Sequence, residues 1–154
     1  MSIALSTAIL VLIILLLIMI SAFFSSAETA LTAASEARIR QLAKTKANRQ
    51  AMRVEKLRKN KEELITTILV GNNLVNILAS ALATSAAISL TGDGGVALAT
   101  LVMTVIIVLF AEVLPKSYAF NNADRFSLKI ALIVQIIVWA LKPVTWSLRV
   151  IVIR

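Results

Sequence analysis

Hydrophobic and polar positions divide the chain into three long uncharged runs separated by charged or turn-forming segments. No charged residue occurs between Ser2 and Ala27, nor within Leu64–Thr91 or Val96–Phe110. About 20 apolar residues, rising 1.5 Å per residue in a helix, cross a hydrocarbon core of about 30 Å. The pattern therefore predicts an all-α polytopic membrane domain whose three transmembrane helices cover about residues 3–30, 64–90 and 96–119.

The connection between the first two runs is basic and has a helical period. Its apolar residues recur at three- and four-residue spacing, which predicts two short amphipathic juxtamembrane helices over about residues 36–60. Because cytoplasmic connections carry an excess of lysine and arginine, we expect this segment in the cytoplasm and the N-terminus outside. No basic residue precedes Arg38, so the first run is predicted to be a retained helix rather than a cleaved signal peptide. The basic residues are Arg38, Arg40, Lys44, Lys46, Arg49, Arg53, Lys56, Arg58, Lys59 and Lys61.

A fourth apolar segment, Phe126–Leu141, is about 16 residues long and contains two polar interruptions. Basic residues flank it on both sides, so the charge rule does not orient it. We predict a tilted, re-entrant or membrane-surface helix over about residues 124–142, capped by Asp124 and broken by Pro143. The turn Thr91–Gly95 lacks basic residues and is predicted outside, and the C-terminus is predicted in the cytoplasm.

The composition supports the membrane class and limits the available chemistry. With 59% hydrophobic residues, 16% charged residues and a mean hydropathy of +0.90, the chain has more apolar surface than a soluble core of its size buries. It contains neither cysteine nor histidine, so any metal site must use oxygen ligands. No nucleophile–base pair or cofactor fingerprint occurs, and we expect no enzymatic activity. Orientation in the bilayer explains the net charge of +8, and we expect no nucleic-acid partner.

Three polar clusters interrupt the apolar runs. An ionisable group near the bilayer centre costs at least about 2.5–3.5 kcal/mol unless it is paired, ligated or hydrated, so such residues mark candidate sites. In the first cluster, the spacing of Ser21, Ser25 and Glu28 puts them on one helix face, with Ser26 beside them. They offer a row of oxygen ligands. Alternatively, the serines bond back to preceding carbonyls and Glu28 lies at the cytoplasmic end of the helix.

The second cluster is Gly71-Asn72-Asn73-Leu-Val-Asn76. Asn72 and Asn76 share a helix face, and Gly71 permits another backbone to come close or the helix to unwind locally. The alternative is ordinary interhelical hydrogen bonding, which contributes about 0.6 kcal/mol per bond in membranes. That contribution is too small to explain three amide side chains in one apolar helix, so the pattern favours a role as ligands or pore-lining residues.

The third cluster is centred on Glu112, with Ala111 before it and Pro115 three residues after it. Pro115 has no N–H to donate to the carbonyl of Ala111, so an unpaired backbone oxygen is predicted beside the carboxylate. The alternative is an ion pair between Glu112 and Lys116, four residues apart.

Hydroxyls, amides, carbonyls and carboxylates without sulfur or nitrogen ligands select a hard cation such as Mg²⁺, Ca²⁺, Mn²⁺ or Na⁺. All three clusters fall toward the cytoplasmic ends of their predicted helices, so we predict one shared cation site at that level of the membrane.

These motifs resemble the N-terminal transmembrane domain of the CorC and cyclin M (CNNM) magnesium transporters. The resemblance rests on Ser21–Leu31, Gly71–Asn76 and Ala111–Ser117. It implies a homodimer in the cell inner membrane that exports Mg²⁺ in exchange for Na⁺. It also implies downstream cytoplasmic CBS domains that bind ATP. Separately, the helix-compatible pattern that is cut off at Arg154 suggests a downstream soluble domain. The implied ligands or pore walls are Ser21, Ser25, Ser26, Glu28, Asn72, Asn73, Asn76 and Glu112, with Gly71, Ala111 and Pro115 shaping the backbone.

A second hypothesis treats the chain as a membrane anchor and dimerisation platform for a cytoplasmic regulatory module. In that case the polar clusters serve only helix packing, and the domain has no ion path of its own.

Overall fold

The computed structural model describes residues 3–45, 48–92 and 94–152, and their regular structure is entirely helical. This confirms the all-α class for the described residues. Lys46 of the basic connection and Asp93 of the predicted outside turn lie beyond them. The helices are α1 (Ile3–Ala33), α2 (Glu36–Thr45), α3 (Arg49–Lys59), α4 (Lys61–Thr91), α5 (Gly95–Ile106), a π-helical segment (Ile107–Val113), α6 (Leu114–Asn121) and α7 (Ala123–Val152).

In the described part of the chain, four stretches of helix are long and apolar enough to cross a membrane. Three of them, Ser6–Ala33, Lys61–Thr91 and Gly95–Asn121, cover the three predicted spans, and the fourth is Ala123–Ser147. The prediction that exactly three helices cross the membrane therefore stays a prediction.

The fourth apolar segment differs from the sequence prediction. It forms α7, a helix of 30 residues, and Pro143 lies inside this helix instead of ending it. Pro143 has no N–H to donate to the carbonyl of Trp139, and the helix continues through this single missing hydrogen bond. The prediction that Pro143 breaks the helix is wrong, since apolar residues beyond the proline continue the helical pattern.

The chain divides into two compact units. The first contains the residues up to Ser25 together with Gly71–Pro115, and the second contains Ser26–Val70 together with the residues from Lys116 onward. The core of the first unit consists of Ile18, Ala79, Met103 and Ala111, which come from α1, α4, α5 and the π-helical segment.

Helices α1 and α4 come very close together at Gly71. A Cβ atom at this position would lie 2.6 Å from Cζ and 2.8 Å from Cε1 of the Phe24 ring, which is itself buried. Phe24 faces Gly71 while Ser21, one turn earlier, bonds to Asn72, so the two helices are antiparallel. A glycine is required here because any side chain would displace a buried aromatic ring.

The second unit is formed by the amphipathic helices and α7. Helix α2 packs against α3, and α3 packs against α7. Their buried apolar residues are Ile39 and Ala43 on α2 and Ala51, Val54 and Leu57 on α3. The amphipathic spacing in the sequence thus becomes the packed face of both helices.

Polar contacts fix the ends of these helices. The side chain of Asn48 caps α3 by accepting from the N–H groups of Gln50 and Ala51 at 2.9 and 3.2 Å. The carboxylate of Asp124 accepts from the N–H of Ser35 at 2.7 Å and from the Arg38 guanidinium at 3.2 Å. Asp124 therefore ties the start of α7 to Ser35 and to α2. Because α7 begins at Ala123, Asp124 lies in the first turn of the helix, and the prediction that it is the capping residue is wrong.

We predict that Gly71→Val destabilises the protein by about 1–3 kcal/mol, because the new side chain forces the Phe24 ring out of its buried position. The free energy of unfolding, measured by denaturant titration in detergent, tests this prediction. Gly94→Val is the matched control, since a Cβ there has no atom within 4 Å. The double variant Gly71→Val/Phe24→Leu should recover part of the loss. Equal losses for the two glycine variants would show that the contact with Phe24 is not limiting.

Candidate functional site

A buried hydrogen bond joins two of the predicted clusters. In the first unit, the hydroxyl of Ser21 on α1 donates to the Oδ1 atom of Asn72 on α4, with an oxygen–oxygen distance of 2.7 Å. Both side chains are buried, and Ser25, one turn further along α1, is fully buried too. Three polar side chains therefore lie within the packing of two otherwise apolar helices. The structure thus brings Ser21 and Asn72 together, and the shared cation site stays a prediction.

Asn76 extends this polar group by one turn of α4. Its Oδ1 atom is buried and has no hydrogen-bond partner among the residues that the structure describes. Leaving such an acceptor unsatisfied costs about 1–3 kcal/mol, so the oxygen is available for a ligand or a bound water. Asn73, in contrast, is exposed, although the sequence grouped it with the other two asparagines.

Glu112 lies in the π-helical segment Ile107–Val113, half-buried and next to Ala111 in the core. The N–H of Leu114 donates to the carbonyl of Leu109, five residues back, in place of the usual four. Pro115 has no N–H, so a carbonyl of the preceding turn loses its helical donor. Sequence analysis missed the π-helical segment, although Pro115 marks the irregularity. Such segments are frequent at functional sites.

Glu28 forms an ion pair with Lys116. In the second unit, the ammonium of Lys116 lies 3.2 Å from a carboxylate oxygen of Glu28, and the two side chains are 43% and 35% exposed. Lys116, the alternative partner predicted for Glu112, pairs with Glu28 instead. Glu112 forms no salt bridge with any described residue. Its carboxylate is thus free of the nearest lysine in sequence.

The remaining residues of the first cluster are in the second unit as well. Ser26 is buried there, and Glu28 is half-buried. Within residues 3–45, 48–92 and 94–152, no three acidic side chains come together as a metal-binding group. The candidate metal ligands in the first unit are instead hydroxyl and amide oxygens. They are joined by one carboxylate, that of Glu112, which follows the core residue Ala111 in sequence. This oxygen-only set, with one negative charge from Glu112, suits a hard cation rather than a soft metal.

Comparison with known proteins identifies the family. The family model described as the cyclin M transmembrane N-terminal domain matches residues 12–153. The chain is 43% identical over 132 residues to the UPF0053 inner membrane protein YfjD of Escherichia coli, covering 86% of this chain and 31% of that protein.

Two further relatives come from other organisms. A UPF0053 protein of Haemophilus influenzae is 38% identical over 149 residues, covering 97% of this chain and 35% of the relative. A chloroplastic DUF21 domain-containing protein of Arabidopsis thaliana is 41% identical over 127 residues, covering 82% of this chain and 18% of the relative. The chain thus spans about a third of the length of its bacterial relatives. With the family model matching nearly its whole length, the chain belongs to the cyclin M transmembrane N-terminal domain family.

Proposed function

We propose that this domain transports Mg²⁺ out of the cell in exchange for Na⁺, by alternating access at a cation site among its transmembrane helices. The proposed ligands are oxygen atoms of Ser21, Ser25, Asn72, Asn76 and Glu112. Family membership supports a membrane protein with a role in divalent cation transport. The choice of Mg²⁺, the direction of transport and the Na⁺ coupling rest on the resemblance of the three motifs to magnesium transporters.

The buried, unpartnered amide oxygen of Asn76 is the observation that carries this proposal. It lies one turn from Asn72, whose own amide oxygen accepts from Ser21. If the polar residues served only helix packing, the bond between Ser21 and Asn72 would be sufficient, and the buried oxygen of Asn76 would remain unsatisfied. A cation, or a water of its hydration shell, satisfies this oxygen and removes the cost of burying it.

Charge distinguishes the two glutamates. The Glu28 carboxylate is already neutralised by Lys116, whereas Glu112 has no such partner among the described residues. We therefore assign the negative charge of the proposed site to Glu112. Glu28 and the neighbouring Ser26, which lie in the second unit, are not among the proposed direct ligands.

Release of a tightly held Mg²⁺ requires the helices to move. Mg²⁺ prefers octahedral oxygen ligands at about 2.0–2.1 Å and loses water reluctantly. Two places in the first unit are suited to such motion, the glycine at Gly71 and the irregular π-helical segment before Pro115. Both lie within a few residues of proposed ligands, so bending there changes the ligand geometry directly.

For the topology, we propose three spans, with α7 on the cytoplasmic surface of the cell inner membrane. The start of α7 is tied to Ser35 and Arg38 through Asp124. Lys142, about 27 Å further along the helix, lines a cleft together with Lys56 of α3. Both regions of α7 therefore contact the basic helices, which a helix perpendicular to the membrane would not allow. This supports a cytoplasmic C-terminus.

Assembly as a homodimer, with ATP-binding CBS domains downstream, is part of the same proposal. Its basis is the family resemblance and the fact that the chain spans about a third of its bacterial relatives. The alternative function, a membrane anchor and dimerisation platform, is favoured by the direct bond between Ser21 and Asn72, which is the kind of contact that helix association uses.

We predict that Mg²⁺ raises the melting temperature of the purified protein and that Asn76→Ala and Glu112→Gln weaken this effect. Loss of even an outer partner of a metal ligand costs about 10- to 100-fold in affinity, so each variant should need at least about tenfold more Mg²⁺ for the same shift. Asn73→Ala is the matched control, because Asn73 is the same residue type on the same helix but is exposed. Mg²⁺ efflux from proteoliposomes should follow the same order.

An anchor without an ion path gives a different pattern. Mg²⁺ would then leave the melting temperature unchanged in the parent protein, and efflux would not exceed that of empty liposomes. If all three variants behaved alike, the assignment of Asn76 and Glu112 as ligands would be wrong.

The topology is tested by single-cysteine labelling, which is straightforward because the chain contains no cysteine. We expect Gly94→Cys to react with a membrane-impermeant maleimide in intact cells. Lys44→Cys and Ser147→Cys should react only after the cells are permeabilised, because both positions are proposed to be cytoplasmic. All three positions are exposed in the structure, so each cysteine is accessible to the reagent once the reagent reaches it. The cysteine-free parent is the control. Labelling of Ser147→Cys in intact cells would show that α7 crosses the membrane.

A further inference from the structure

A small cleft in the second unit lies where its helices meet the membrane boundary. Its volume is about 180 Å³, and it is bounded by the end of α3, the start of α4 and the second half of α7. The lining residues that matter here are Lys56, Asn60, Glu63, Leu64, Trp139 and Lys142. None of them belongs to the proposed cation site.

Two ammonium groups face this cleft from different helices. Lys56 lies on α3 and Lys142 on α7, both are exposed, and neither forms a salt bridge with a described residue. The amides of Asn60 and Gln135 also line the cleft, and Glu63 adds one carboxylate. The charge of the lining is therefore positive, and its two cations are free to bind an anion such as a phosphate group.

The cleft lies at the level where the chain enters the membrane. Helix α4 begins with Lys61, Glu62 and Glu63 and is then uncharged from Leu64 to Thr91. Leu64, the first apolar residue of that run, lines the cleft. Trp139 on the opposite wall is 77% exposed, and tryptophan is enriched at the headgroup level of membranes.

An apolar face of α7 continues from the cleft. Leu132, Ile136 and Trp139 recur at four- and three-residue spacing and are all exposed. Together, the free cations and the exposed apolar face match a molecule with an anionic head and an apolar tail.

We propose that this cleft binds an anionic phospholipid, with its phosphate between Lys56 and Lys142 and an acyl chain along the exposed face of α7. Glu63 then accepts a hydrogen bond from a hydroxyl donor, which a glycerol headgroup provides. The preference is thus for a phosphatidylglycerol type of lipid over phosphatidylcholine, which has neither a net charge nor headgroup hydroxyls. This site holds α7 on the membrane surface and is independent of the transported ion.

Quenching of Trp139 fluorescence by brominated lipids tests this proposal. The chain has two tryptophans, so Trp146→Phe leaves Trp139 as the single reporter. This protein is reconstituted into vesicles that contain equal parts of phosphatidylglycerol and phosphatidylcholine, with bromine on the acyl chains of only one of the two lipids. We expect stronger quenching when phosphatidylglycerol carries the bromine, with a preference of about fivefold for each ammonium that contacts the headgroup.

Two pairs of variants separate a specific site from general charge attraction. Lys56→Gln/Lys142→Gln should abolish the preference, and Lys56→Arg/Lys142→Arg should retain it. Lys44→Gln/Lys129→Gln removes the same charge from exposed positions on α2 and α7 outside the cleft and should leave the preference unchanged.

Three results would overturn the proposal. The first is equal quenching by the two lipids in the parent protein. The second is an equal loss of preference in the control pair and the cleft pair, which would show only diffuse attraction. The third is full relief of quenching by millimolar glycerol 3-phosphate, which would identify the cleft as a site for soluble anions. Because no Mg²⁺ is present in the assay, failure here leaves the proposed transport function unaffected.

Discussion

The close contact between α1 and α4 at Gly71 is the constraint on which the proposed site depends. Without a side chain at this position, the Phe24 ring fits against the backbone of α4. The same approach brings the Ser21 hydroxyl within 2.7 Å of the Asn72 amide. Two helices separated by a larger side chain could not share this bond, and the buried oxygens of Ser25 and Asn76 would then lie on surfaces too far apart to surround one ion.

In the proposed topology, charge sets the position of the second unit with respect to the membrane. The basic faces of α2 and α3 cannot enter the hydrocarbon core, and α7 packs against α3. Asp124 and the cleft beside Trp139 then keep both ends of the apolar part of α7 near that charged layer. Length and hydropathy alone would let α7 cross the bilayer. The proposal that α7 lies on the membrane surface therefore rests on packing and polar contacts, which hydropathy does not measure.

The sequence predicted the features that follow from local pattern and missed those that depend on distant partners. Uncharged runs marked the apolar helices, and amphipathic spacing marked α2 and α3. Both can be predicted because the spacing of apolar residues along the chain indicates which helix faces avoid water. The pairing of Lys116 with Glu28 was missed, since these residues are far apart in sequence and only the local partner Glu112 was considered. The sequence analysis predicted that Pro143 ends the helix, but α7 continues through this residue. The exposure of Asn73 beside buried Asn72 shows the same limit, since the side chains of two consecutive residues in a helix point in different directions.

A high-resolution density map of the protein in Mg²⁺ tests the proposed site most directly. A cation among α1, α4 and the π-helical segment should appear with oxygens of Asn72, Asn76 and Glu112 around it, either at about 2.0–2.1 Å or through bound water. A map in saturating Mg²⁺ that shows Ser21 bonded to Asn72, Asn76 satisfied by a protein donor and no density between the helices would contradict it. The buried polar side chains would then be a packing device of a membrane anchor.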